Sequence, residues 1–282
     1  MRADCHIHMV LDGVYYKDAI QAHRDGPQDS LILPRLAEYR RLGFAYLRDG
    51  GDRWGVGMRA RELAGQMGLV YRSPVFPIHK QGRYGGFIGR GFETMQDYRA
   101  LVAEVKRRGG DFIKIMISGL MDFHQFGVLT STPLEPEEIR EMIQVAHDAG
   151  FSVMAHANGA EVVRAAAEAG VDSVEHGAYL DEAALEAMVR AGTVWVPTLS
   201  TVGNLRGTGR FPDEQTERIL ESALRNVARF HQMGGLLAPG TDAGAYAVPH
   251  GTLSEYHLLG LALGADCEKA LEAGTREIQR KF

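Results

Sequence analysis

Short apolar runs rich in β-branched residues recur along the chain, each followed by a polar or glycine-bearing turn and then a stretch of helical periodicity. Alternation with period two, or a continuous apolar run bounded by turn residues, marks a strand; recurrence at three and four residues marks a helix. The pattern predicts eight strands, over Ala3–His8, Phe44–Asp49, Val70–Phe76, Phe112–Ile117, Phe151–Ala155, Ser173–His176, Val194–Thr198 and Leu236–Gly240. Helices are expected between them over Leu31–Leu42, Val56–Met67, Glu93–Arg108, Pro136–Ala149, Gly159–Ala169, Asp181–Ala191 and Pro212–Met233, with two more over Thr252–Gly264 and Cys267–Arg280. Glu135-Pro136-Glu137-Glu138 puts proline and acids at a helix start, where the missing N–H and the helix dipole favour them. Gly150, Gly170 and Gly192 stand where left-handed caps end helices.

Strands alternating with helices imply parallel pairing, and eight such units imply a closed (β/α)8 TIM barrel, an α/β fold, with residues 1–282 as one domain. A doubly wound open sheet usually opens on a glycine-rich phosphate loop after its first strand, and His6-Ile7-His8 stands there instead. Pro77–Phe92, with five glycines, reads as irregular and is a candidate mobile loop over the barrel mouth.

The charge balance, formally −5, offers no basic patch for nucleic acid. No apolar run approaches a membrane span and no signal segment is evident. Cys5 and Cys267 are the only cysteines and make no disulfide framework, so a cytoplasmic location is the default. Cys5 reads as a buried structural thiol pointing away from the neighbouring imidazoles. A small-molecule partner is expected, and homo-oligomerisation is left open.

The chemistry gathers at the strand ends. His-x-His on a strand aims both imidazoles to one side, as two ligands of one metal ion require. His6 and His8 end the first strand, Lys114 lies on the fourth, His156 and His176 end the fifth and sixth, and Asp242 follows the eighth. A barrel places all of these around one mouth. Lys114 is flanked by apolar residues, and desolvation would make its amine a neutral nucleophile. Such a lysine forms a Schiff base with a carbonyl substrate, or takes up carbon dioxide to become a metal-bridging carboxylate; snorkelling from the strand end is the plain alternative. Asp242 could equally cap the turn that follows it.

At these residues the chain resembles the amidohydrolase superfamily, and within it the branch of metal-dependent Xaa-Pro dipeptidases (prolidases) and imidazolonepropionase-like proteins. The matching segments are Asp4-Cys5-His6-Ile7-His8, Asp111-Phe112-Ile113-Lys114-Ile115, His156-Ala157-Asn158-Gly159, Val174-Glu175-His176-Gly177-Ala178-Tyr179-Leu180-Asp181, Val196-Pro197-Thr198-Leu199-Ser200-Thr201 and Gly240-Thr241-Asp242-Ala243-Gly244, with Pro249-His250-Gly251 beyond. The resemblance implies two divalent ions, usually zinc. One would be held by His6, His8 and Asp242, the other by His156 and His176, with N-carboxylated Lys114 and a hydroxide between them. Two departures stand out: the small β-sandwich usual in the family is missing from this sequence, and Pro77–Phe92 does not match the branch.

The resemblance implies hydrolysis of an amide-type C–N bond in a dipeptide, an N-acyl amino acid or a similar small molecule, with Asp242 as catalytic proton shuttle. A mononuclear cyclic amidohydrolase or deaminase, a Schiff-base lysine aldolase, a phosphoesterase and a non-catalytic scaffold are the alternatives. A substrate carboxylate would need a cation, for which Arg83, Arg206 and Arg210 are candidates. Tyr179, His250, His79, Tyr84 and His124 are further loop candidates for substrate binding.

Overall fold

The computed structural model describes residues 2–282. Its strands are β1 (Arg2–Ile7), β2 (Phe44–Asp49), β3 (Val70–Arg72), β4 (Pro77–Lys80), β5 (Arg90–Phe92), β6 (Ile113–Met116), β7 (Val153–Ala157), β8 (Ser173–His176), β9 (Val194–Val196) and β10 (Leu236–Leu237). All pair in parallel, in two runs: β1-β2-β3, and β10-β9-β8-β7-β6-β4-β5. The runs join at both ends, because β3 and β4 are two halves of one stave and β10 continues onto β1. Cys5 N–H donates to Pro239 O at 2.8 Å, Asp242 N–H to His6 O at 2.7 Å, and His8 N–H to Ala243 O at 2.7 Å. The fold is the (β/α)8 barrel.

The third stave differs from the expected unbroken Val70–Phe76. It breaks at Ser73–Phe76, where Pro74 offers no N–H and Val75 takes a left-handed φ of 70°. Its second half, β4, falls inside the segment expected to be irregular. That segment is not a free loop: β4 pairs with β6 on one side and with β5 on the other. Between these strands, Arg53 N–H donates to Ile88 O at 3.0 Å and Ile88 is buried.

Helices cover the outside of the barrel near the expected places. The helix Met95–Arg107 starts in a capping box, with Asp97 N–H donating to Thr94 Oγ1 at 3.2 Å and Thr94 N–H to Asp97 Oδ2 at 2.9 Å. Two short helices, Tyr16–Ala22 and Ser200–Gly203, have no counterpart in the sequence reading. Tyr16–Ala22 buries only Ala19, so it carries no apolar stripe to reveal it. Among the described residues no helix is long and apolar enough to cross a membrane. Both cysteines are free, Cys5 buried and Cys267 partly so.

The barrel interior is packed below the mouth by Ala3, Cys5, Tyr46, Phe112, Met154 and Val196, among others. Cys5 therefore lies on the same interior as the histidines, not turned away from them as strict alternation would have it. The cause is a register shift. From Asp4 to Ile7 the first strand advances three residues while β2 advances two, from Leu47 to Asp49. A bulge of this kind re-aims side chains at a barrel rim. Below it Ala3 and Cys5 face inward; above it His6 and His8 do.

Candidate metal centre

The imidazoles of His6 and His8 converge at the top of β1, with their Nε2 atoms 3.4 Å apart. Asp242 Oδ1 closes the group, 3.6 Å from His6 Nε2 and 3.4 Å from His8 Nε2. The ligand atoms of these three residues all lie within 4.8 Å of one another, a spacing that could hold one cation. Two glycines make room. A Cβ at Gly50 would overlap the His8 ring, and one at Gly240 would overlap Val196 and His6.

His176 sits beside this group, its ring centroid 5.0 Å from that of His6 and 4.5 Å from that of His156. The four imidazoles thus form one contiguous set. Lys114 lies among them: its charge depresses the proton affinity of His6, His8, His156 and His176, though burial is the larger cause for each. His8 and His156 are pushed down to about 3. Neutral imidazoles are the form that binds metal. Lys114 itself is 1 % exposed, and its Nζ has no hydrogen-bond partner among the described residues. Burial lowers its proton affinity, while Glu175 and Asp242 raise it. Burial raises that of Asp242, whose Oδ1 also lacks a hydrogen bond.

The backbone is strained where it presents these groups. His176, Thr198 and Asp242 adopt left-handed φ values of 70°, 48° and 58°. Non-glycine residues hold such angles only when their surroundings enforce them, most often at functional sites. His176 Nδ1 meets Thr198 Oγ1 at 2.7 Å, and when Nδ1–H donates there, Nε2 keeps its lone pair free. His156 Nε2 lies 3.2 Å from Gly119 O.

Two residues that the sequence reading passed over complete the centre. Glu175 Oε2 lies 2.8 Å from His6 Nδ1, in a contact bent away from a straight hydrogen bond. Glu175 Oε1 accepts from Arg48 Nη2 at 2.8 Å and from Ser173 Oγ at 2.6 Å, and Arg48 Nε donates to Cys5 O at 2.7 Å. Glu175 and Arg48 are wholly buried. An acid on one strand and an arginine on another, both at inward-facing positions, was the available signal.

Above the centre, two cavities of ≈ 460 and ≈ 390 Å³ meet at Asp242. Of the loop candidates, Tyr84 lines both and His124 lines the larger; Tyr84 also packs on His156, centroids 4.8 Å apart. Arg210 lines both as well. The others are placed elsewhere. Arg83 is exposed away from both cavities, and Arg206 donates to Gly203 O and pairs with Glu217. His250 is tied to Leu11 O at 2.9 Å and Tyr39 Oη at 3.3 Å, and His79 Nδ1 lies 2.9 Å from its neighbour's carbonyl, Lys80 O. Tyr179 packs on Phe126 and reaches only a small side pocket next to His176.

The model of the amidohydrolase family matches residues 60–275, most of the chain, and the chain belongs to that family. Among curated proteins it is similar to an uncharacterised protein of Mycobacterium tuberculosis, 29% identical over 188 residues that cover 64% of this chain and 50% of that protein. It is also similar to ochratoxinase of Aspergillus niger, 26% identical over 85% of this chain and 56% of that one. The chain thus spans about half the length of these relatives. Among solved structures, a Xaa-Pro dipeptidase with methionine bound in its active site superposes with a TM-score of 0.79 at 22% identity, covering 99% of this chain and 75% of that one. The A. niger ochratoxinase structure superposes with a TM-score of 0.78 at 21% identity, covering 99% and 70%. These structural likenesses are likenesses of fold.

Proposed function

We propose that the chain hydrolyses an amide-type C–N bond of a small molecule at a pair of divalent cations, zinc first among the candidates. His6, His8 and Asp242 would hold one ion, and His156 and His176 the other, with N-carboxylated Lys114 between them. The observation that carries the reading is the convergence of three ligand atoms within 4.8 Å beside two further imidazoles and a buried, partnerless amine. The donor set fits the metals. Neutral imidazoles and carboxylate suit zinc, and carboxylation would turn an orphaned buried amine into a ligand.

Bound divalent ions supply Lewis acidity toward the carbonyl oxygen and lower the pKa of water so that hydroxide is available near neutral pH. The chain's own residues do the rest. Asp242, which faces both cavities, takes the proton from the attacking water and passes it to the leaving nitrogen. Glu175 keeps the His6 proton on Nδ1, leaving Nε2 directed at the centre.

One observation favours a mononuclear variant: His156 Nε2 is within hydrogen-bond range of Gly119 O, so the second ion must displace that contact. The Schiff-base alternative has less support, because Lys114 lines neither cavity. The test is a screen of N-acyl amino acids, dipeptides and cyclic amides with zinc-loaded protein prepared in bicarbonate. Amine release that stops on chelation and returns with zinc is expected. Amine release that survives chelation, or none from any amide, overturns the reading.

A further inference from the structure

Resting on the reading of His176 as a metal ligand, we infer that Glu255 is a positioning residue for the centre. From the helix Ser254–Leu263 it fixes the turn Thr198-Leu199-Ser200, and through Thr198 it fixes the ring of His176. Glu255 is wholly buried and lines neither cavity. Its Oε1 accepts from Leu199 N–H at 3.0 Å, and its Oε2 from Ser200 N–H and Ser200 Oγ, both at 2.8 Å. Leu199 stands at the N-cap of the short helix Ser200–Gly203 and has no side-chain oxygen to offer, so the acceptor comes from a different helix.

The turn needs holding. Thr198 is β-branched, yet its φ is 48°, an angle such residues rarely adopt and keep only when their surroundings enforce it. On one side Thr201 N–H and Oγ1 donate to Thr198 O at 3.0 and 2.8 Å. On the other, the two N–H groups that follow Thr198 are those Glu255 binds. Thr198 Oγ1 is in turn the one hydrogen-bond partner of the His176 ring among the described residues. The His176 main chain is held separately, with Trp195 Nε1 donating to its carbonyl at 2.9 Å. Ring rotation and tautomer therefore rest on Thr198, and the placing of Thr198 rests on Glu255. The same helix follows the loop that carries Asp242. Ser254 Oγ lies 2.8 Å from Ser200 Oγ, and Asn204 Nδ2 donates to Ala247 O at 2.9 Å. Glu255 thus ties the segment presenting Asp242 to the turn supporting His176.

The test uses the full chain labelled with nitrogen-15 at histidine, before and after zinc loading. Proton–nitrogen spectra report the tautomer of each ring, and the His176 signal is assigned by its change in Thr198→Val. Wild type should show His176 with its proton on Nδ1, and Glu255→Gln should turn this into a mixture of tautomers. Glu255→Gln should also weaken one of two zinc ions by about 10-fold. Thr198→Val should weaken the same ion, and the double variant should lose no more than Thr198→Val alone, because the two residues act in series. Ser200→Ala, which removes one of three bonds to Glu255, is the milder variant and should give the same changes to a smaller degree. Tyr98→Phe removes a buried hydrogen bond to Met142 O on the outer helices and should leave the His176 signal and zinc affinity intact. A wild type that takes up fewer than two zinc ions, with the His176 signal still lost in Glu255→Gln, supports this role and rejects the two-ion reading. An unchanged His176 signal in Glu255→Gln and Ser200→Ala, zinc losses that multiply in the double variant, or equal losses in Tyr98→Phe overturn the inference and leave the hydrolase reading standing.

Discussion

His6 Nδ1 and Glu175 Oε2 lie 2.8 Å apart in a wholly buried contact that ties β1 to β8 across the barrel interior. Because Glu175 also holds the Arg48 guanidinium, one carboxylate serves both the fold and the candidate metal centre. The two roles separate by mutation. Glu175→Gln leaves the Arg48 charge buried without its counter-ion and should cost about 3 kcal/mol of stability. It should also weaken zinc binding by about 10- to 100-fold, as loss of a residue that orients a ligand does. Adding Arg48→Met should restore most of the stability and none of the zinc affinity. Urea unfolding and competitive zinc titration of the single and double variants check this; a double variant that regained both would remove Glu175 from the centre.

Gly50 faces the His8 ring so closely that a methyl group there forces the imidazole aside. His8 is at the rim, so it can turn away without disrupting the core. Gly50→Ala should therefore lower zinc affinity by about 10-fold or more and stability by about 1 kcal/mol. Unfolding curves and zinc titration distinguish this from general damage: loss of stability with zinc affinity intact would show that His8 is not a ligand.

Burial, aided by the Arg35 charge, pushes His250 down to about 3 from an ordinary 6.5. Between those values the unfolded chain takes up a proton that the folded chain refuses. The contribution is therefore whole above pH 6.5 and is lost as pH falls toward 3. His250→Gln removes that proton uptake, so from pH 7 to 5 the variant should lose about 1–2 kcal/mol less stability than wild type. Asp4 and Asp49, raised to about 7 by burial, act with the opposite sign, but they are present in both proteins and cancel in the comparison. Urea unfolding at stepped pH is the measurement. Parallel curves would mean that His250 is not held neutral.

The barrel was legible because eight apolar runs alternate with periodic helices, and its chemistry because ligand-type residues fall at the strand ends. What the sequence did not disclose depends on contacts between distant strands. The split third stave follows from Pro74 and Val75 together with pairing to β6, and glycines at Gly85 and Gly89 hid a short strand beyond them. Alternation placed Cys5 outside, because a register shift against β2 cannot be seen from β1 alone. Arg48 and Glu175 looked like ordinary charged residues; only closure of the barrel brings together these two, 127 residues apart in sequence. Among the loop cations, nothing in composition distinguished Arg210 from Arg83 or Arg206. The stack on Tyr246 does.

The central claim is that Lys114 becomes a carboxylate joining two cations. Zinc content per chain after reconstitution, with and without bicarbonate, in wild type and Lys114→Ala, tests it most directly. About two zinc ions per chain are expected for wild type in bicarbonate, with fewer when bicarbonate is withheld and about one at most in Lys114→Ala. A carbon-13 carbamate signal from labelled bicarbonate should accompany the wild-type value and be absent from the variant. If Lys114→Ala held two zinc ions as tightly as wild type, the bridging role would be contradicted.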